Sequence, residues 1–418
     1  MNEKKVFTVI FILALFIYSG LSIYNTVPSI IWDFEQKENE IDDVFETAKS
    51  DISIIDDNIS RNIYERYQAI EGYGVFNRIL GKHEINGFDY ALDPHNAYEP
   101  INFWSEANDI SFRTFAQQLV MFRDDVEANG GHFTFLMFPH KMNDAWNKGF
   151  DGIPYNDFNE QADKFLHWLD FYGVDYLDFR EVLDKSDMTF EEMFYRTDHH
   201  WTGTAAFTAF KSLVEYLNDE YKAGLDADGF YTDESNYEFG TIPNSFIGSA
   251  GRDVGVGYSG MDLEDFVTVK PLFNNKYEWT CSMGDITRQS LYCEEVLEYE
   301  SIYDSDMYRY YLQGINSRDK IINCNDPDAP KAFFVRDSFA SPLLANIAPL
   351  FSETGASWGK FTSDRYVKEE IINGDYDYVF VSYYPENLIT EFFKFYAEDV
   401  EQYKLDYAIK QGYVREEK

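Results

Sequence analysis

The chain has 418 residues, and 74 Asp and Glu against 35 Lys and Arg give a formal net charge of −39. Nucleic acids are approached through clustered Lys and Arg that displace counterions, so this balance argues against a nucleic-acid partner. With 45% hydrophobic residues the chain can bury a sizeable core, and its three cysteines (Cys281, Cys293, Cys324) allow at most one intramolecular disulfide, which excludes a disulfide framework.

Residues 6–24 (VFTVIFILALFIYSGLSIY) carry no charge, and such a run is close to the ~20 residues needed to cross a bilayer. Lys4 and Lys5 precede it and Asp33 and Glu35 follow, which puts the N-terminus in the cytoplasm and the rest outside. A cleaved signal peptide is the competing reading. The run exceeds the ~7–15 residues of a usual signal core and no A-x-A site follows, which favours an anchor. The expectation is a single-pass protein of the cell membrane with its main domain extracellular: residues 1–30 form the cytoplasmic end and anchor, 31–104 a stalk and entry segment, and 105–418 one α/β domain.

Within the acidic stalk, Ile41, Val44 and Phe45 recur at helical spacing. From residue 105 the texture alternates. A helix is predicted near 110–127, a buried strand in GHFTFLMFPHK, a helix over 157–171, a short strand in VDYLDF, and a helix in TAAFTAFKSLVEYL. This is βαβ order, and it predicts a parallel sheet flanked by helices. Between about 225 and 325, Gly-, Asn- and Asp-rich stretches predict an insertion of short strands and long loops. The alternation then resumes with KAFFVR, SPLLANIAPLF, YDYVFVSYY and TEFFKFYAEDV.

Reactive residues gather where strands end or helices begin, the usual place for a site in such a sheet. In Tyr195–Thr202 (YRTDHHWT), an Asp and a His two residues apart can face the same way, the carboxylate accepting the Nδ1 hydrogen and leaving Nε2 as a base. Thr202 alone suffices to cap the following helix, so capping does not explain the two histidines. In KAFFVRDSFASP, an apolar strand stops at Ser338 and passes into a helix; the N–H groups of Ser338 and Phe339 are candidate oxyanion donors. An N-cap serine is the plain alternative. Metal is not expected, because the remaining histidines lie in no HExxH-like spacing. No GxSxG, GxGxxG or Walker sequence occurs, and no cofactor is expected.

TDHHWT followed by RDSF resembles the DHHW family, close to the alginate O-acetylation proteins with SGNH-hydrolase-like domains. FPHK, VDYLDFREVL, FIGSAGR and ASWGKFTSDRY extend the resemblance. It implies a triad in the order Asp198, His200, Ser338, with Arg365 near the acyl site and Asn387 in a late polar turn that serves equally as a helix start. Leu343 and Leu344 stand where a relative would use an extra aromatic donor. The implied activity is acetylation of a cell-envelope or secreted polysaccharide, with a membrane-bound O-acyltransferase as acyl-donating partner. A carbohydrate acetylesterase and a non-catalytic polysaccharide-binding or assembly protein are the alternatives.

Overall fold

The structure, a computed structural model, describes residues 3–36, 44–87, 89–100, 109–153, 157–260, 263–282, 284–288, 290–299 and 301–400. Ile41 of the predicted stalk, the side chains of Val44 and Phe45, and the expected boundary at 104/105 lie outside them. In α1 (Glu3–Gln36), the segment Lys4–Phe34 is long and apolar enough to cross a membrane. α2 (Val44–Asn62) returns alongside it. Asn58 Nδ2 donates to Asp33 Oδ2 at 2.7 Å, the Tyr64 N–H donates to Ser22 Oγ at 3.2 Å, and Tyr18 stands edge-on to Tyr64. α3 (Arg66–Ile79) then leads into a small antiparallel sheet of β1 (Glu84–Ile85), β2 (Tyr90–Leu92) and β3 (Tyr98–Pro100).

The main domain begins with α4 (Asp109–Ala128), which buries Phe112, Phe115, Leu119, Phe122 and Val126 at helical spacing along one face. β4 (His132–Met137), α5 (Phe158–Tyr172), β5 (Tyr176–Asp178), α6 (Phe179–Asp184), α7 (Phe190–Met193) and α8 (Gly203–Glu220) follow. Thr202 caps α8 as its position predicts, accepting the Ala205 N–H at 3.2 Å. Next come β6 (Tyr237–Phe246), α9 (Ser249–Val254), α10 (Val256–Ser259), β7 (Glu264–Pro271), β8 (Tyr277–Cys281), β9 (Gly284–Arg288) and β10 (Arg318–Asn323). The chain returns to the sheet with β11 (Lys331–Arg336), α11 (Ala340–Ile347), β12 (Glu353–Trp358) and β13 (Tyr378–Tyr383).

The eight-stranded sheet runs β5-β4-β13-β11-β12-β10-β8-β9. Its first five strands are parallel, as predicted, and β10, β8 and β9 extend it antiparallel. The stretch read as an insertion therefore supplies three strands of the main sheet, while β6 and β7 pair as a separate antiparallel ribbon. Alternate residues serve opposite faces. Phe334 and Phe380 pack with α8 and α11 residues, and Phe333, Val335, Val379 and Val381 with those of α4 and α5.

TEFFKFYAEDV is not the predicted helix; only a 3-10 turn at Thr390–Phe392 forms. Phe393 and Phe395 are drawn into the core under α4, and their carbonyls accept from buried Gln118 Nε2 at 2.9 and 2.6 Å. Those tertiary bonds satisfy backbone groups that a helix would otherwise have paired.

Candidate active site

Ser338 sits just past the carboxyl end of β11, in the turn before α11. Asp337 shapes that turn from within. Its Oδ1 accepts the Phe339 N–H at 3.0 Å, and its Oδ2 accepts the Tyr384 N–H at 2.6 Å and Asn387 Nδ2 at 2.9 Å. The ends of β11 and β13 are thereby tied together around one buried carboxyl, which burial pushes up to about 6 against the pull of these donors. Behind it, fully buried Arg336 pairs with Asp319 of β10 at 2.8 Å and donates to Ser341 Oγ at 3.0 Å.

The loop before α8 is clamped from β7. Glu264 accepts the N–H groups of Arg196 and Thr197, both at 2.6 Å, and also the Thr197 hydroxyl. Trp201, wholly buried, donates its indole N–H to the Phe339 carbonyl at 3.0 Å. This bond fastens the histidine loop to the serine turn.

Between the two anchored loops, the side chains meet in a continuous hydrogen-bonded chain. His200 Nε2 lies 2.7 Å from Ser338 Oγ, and His200 Nδ1 lies 2.5 Å from Asp198 Oδ1. Asp198 Oδ1 also accepts the His200 N–H at 3.0 Å, and Oδ2 accepts the Ser249 N–H at 2.8 Å. Burial alone would raise the Asp198 pKa; the adjoining imidazoles and these donors hold it well below the usual carboxylate range. The His200 ring lies flat against Tyr308, with centroids 3.9 Å apart.

The Ser338 side chain opens into a cavity of about 200 Å³ bounded by Tyr90, Tyr98, His199, Tyr384, Glu386 and Asn387. Burial and the neighbouring His200 push His199 down to about 4, and its Nδ1 lies 3.3 Å from Ser249 Oγ. The Met142 N–H donates to His140 Nδ1, so His140 Nε2 carries the proton that faces Glu386 at 3.3 Å. Although burial opposes it, this partnership holds Glu386 below the ordinary carboxylate value. Lys141, of the FPHK turn, is buried and donates to the carbonyls of Tyr98 and Tyr195 at 3.0 and 3.1 Å, joining β3 to the histidine loop.

Asp198, His200 and Ser338 are thus brought together, and Asn387 lines the same cavity. Two expectations are corrected. The Phe339 N–H is spent on Asp337 and is not directed at an oxyanion, while the residue itself borders the cavity beside Ser338. Arg365 does not border the cavity: its side chain is 82% exposed and its Nε pairs with Glu369 at 2.7 Å, one turn along the same helical segment. The donor atoms of Asp198, His199 and His200 lie within 4.8 Å of one another. Those atoms are engaged with each other and with Ser338 and Ser249, an arrangement suited to proton transfer. Sequence reading missed Tyr308, Tyr384 and Glu386, and it gave Trp201 no role of its own.

Residues 105–240 match the SGNH hydrolase-like domain of acetyltransferase AlgX. The matched stretch contains Asp198 and His200, and the fold brings Ser338 to them from beyond it. A DHHW family protein from Eubacterium siraeum has a similar fold: TM-score 0.57 and 16% identity, over 76% of this chain and 96% of that one. Bacillus cereus PatB1, solved with a sulfonyl adduct, is likewise similar, with TM-score 0.58 and 18% identity over 73% of this chain and 97% of that one. No curated protein matches the sequence. The resemblance therefore holds in sequence over residues 105–240, which contain TDHHWT, and in fold over about three quarters of the chain, RDSF included in the fold alone.

Proposed function

We propose that this protein is a membrane-tethered serine O-acyltransferase that acts outside the cytoplasm, moving an acetyl group onto hydroxyls of a cell-envelope or secreted polysaccharide. The observation that carries the reading is the Asp198–His200–Ser338 chain of contacts at 2.5 and 2.7 Å, ending at a cavity. Asp198 accepts the Nδ1 hydrogen, which leaves Nε2 free to take the Ser338 proton as Oγ attacks the donor's acyl carbonyl. The protonated imidazole then returns that proton to the leaving group. In the second half, Nε2 deprotonates an acceptor hydroxyl, which attacks the acyl-serine and releases Ser338 with its proton restored.

For the oxyanion, two donors at the cavity are unclaimed among the described residues: the Ser338 N–H and the second hydrogen of Asn387 Nδ2. The similarity to the AlgX acetyltransferase domain supports acetyl as the group moved. The tyrosines and carboxylate around the cavity suit sugar rings and hydroxyls. A membrane-bound O-acyltransferase is the partner this reading requires, since an acyl donor has to reach the outer face.

Intact-mass measurement after incubation with a chromogenic acetyl ester tests the proposal. The wild-type chain should acquire one acetyl group, mapped to Ser338, and Ser338→Ala should acquire none. An acetyl group still mapping to this turn in Ser338→Ala would overturn the assignment.

A further inference from the structure

α3 is amphipathic in the reverse of the usual sense. Its inner face is polar or small: Glu71 accepts the N–H groups of Val256 and Gly257 at 2.9 and 2.8 Å, and Arg78 donates to the carbonyls of Tyr258 and Ser259. Gly74 lies so close to α9 that a Cβ there would fall 2.6 Å from the Val254 carbonyl oxygen. The outer face is apolar, with Tyr73, Phe76, Ile79 and Leu80 at 48, 57, 77 and 56% exposure. These four recur at i, i+3, i+6 and i+7, one stripe along the last two turns.

A helix that docks by its polar face and leaves an apolar stripe outward has an apolar partner elsewhere. Two observations identify it. Tyr64, two residues before α3, is bonded to Ser22 and packed against Tyr18, so α3 departs from beside the last turns of the uncharged run 6–24 of α1. In addition, residues 61–82 hold four basic residues (Arg61, Arg66, Arg78, Lys82) and two acidic ones (Glu65, Glu71), a net +2 within a chain of −39. Apolar stripe and local positive charge together are what an anionic lipid surface attracts.

We infer that α3 lies in the outer interface of the bilayer that α1 spans, its Tyr73–Leu80 stripe inserted among the lipids. The inference rests on α1 being an anchor. It has a consequence for the cavity, because α3 holds α10 through Glu71 and packs on α9, whose Ser249 N–H holds Asp198. The Asp198 side of the Ser338 site is thereby tied, through α9 and α10, to the helix that carries the stripe.

Photo-crosslinking of the full chain tests this, using vesicles of phosphatidylcholine with one quarter phosphatidylglycerol and a trace of lipid bearing a diazirine in its upper acyl chain. Peptide mapping should find adducts in α1 and also at residues 73–80, at least about fivefold above those near Leu272 and Phe361, which are comparably exposed. Phe76→Ser with Ile79→Ser should remove the second set and leave α1 labelled. Adducts in α1 with none at 73–80 would overturn the inference and leave a protein as occupant of the stripe. Absence of adducts in α1 would overturn the anchor reading and this inference with it.

Discussion

Gly248 stands against Asp198 with no room for a side chain: a Cβ at Gly248 would lie 2.6 Å from Asp198 Cα and closer still to its Cβ. The approach is what lets the next residue, Ser249, turn its N–H onto Asp198 Oδ2. The carboxylate that orients His200 is thus held from the 225–325 stretch and not only from its own loop.

Gly248→Ala should therefore displace Asp198 while leaving Ser338 in place. Turnover of an acetyl ester should fall about 100-fold, the usual consequence of ~1 Å misplacement in a catalytic group. KM should change little, because Gly248 is not among the residues that bound the cavity. A variant with wild-type turnover would show that the loop yields without moving Asp198.

Asp198→Asn should lower turnover by about 10³–10⁴-fold, since the amide no longer fixes the Nδ1–H tautomer. The carboxylate's depressed pKa also links it to stability. A group held below its unfolded value of ~3.9 stabilises the fold above that pH and loses the contribution as pH falls through the native value. Urea midpoints of wild type and Asp198→Asn should differ most at pH 6–8 and converge toward pH 3. A constant offset would mean the carboxylate's charge is not what stabilises this loop.

Much of the site was legible because its two loops are short and contiguous. An apolar run broken by Asp337-Ser338, and Asp and His two apart before a capped helix, are local signals, and the fold sets Asp198, His200 and Ser338 within hydrogen-bonding distance in that order. The side chains that surround it were not legible. Tyr308 reaches His200 from more than a hundred residues away, and Tyr384 and Glu386 follow β13 with no spacing of their own. Arg365 was placed by resemblance alone, and its partner Glu369, four residues on, claims it locally. TEFFKFYAEDV failed for a related reason: a count of apolar residues cannot foresee that Gln118 would satisfy the carbonyls of Phe393 and Phe395.

Asp337 carries the opposite sign. Burial raises its carboxyl to about 6, so between about pH 4 and pH 6 the native state keeps a proton that the unfolded chain has lost, and stability falls as pH rises through that window. The contribution is on the order of 2–3 kcal/mol. Asp337→Asn cannot titrate, and its urea midpoint should decline less between pH 4 and pH 6 than that of wild type. Equal slopes in the two proteins would show that Asp337 ionises at an ordinary pH.

Tyr308 offers a test of what its ring and its hydroxyl each do. The ring covers one side of His200 at 3.9 Å, while the buried hydroxyl has no hydrogen-bond partner among the described residues. An unsatisfied buried hydroxyl costs about 1–3 kcal/mol, so Tyr308→Phe should keep full turnover and raise the melting temperature by a few degrees. Tyr308→Leu removes the flat wall at similar apolar character, which frees the imidazole to rotate away from Ser338. Turnover should then fall at least about tenfold, with a much smaller change in KM. If Phe also lost activity, the hydroxyl would have a partner in the reaction itself, and Tyr308 would belong with Asn387 among the groups that meet the substrate.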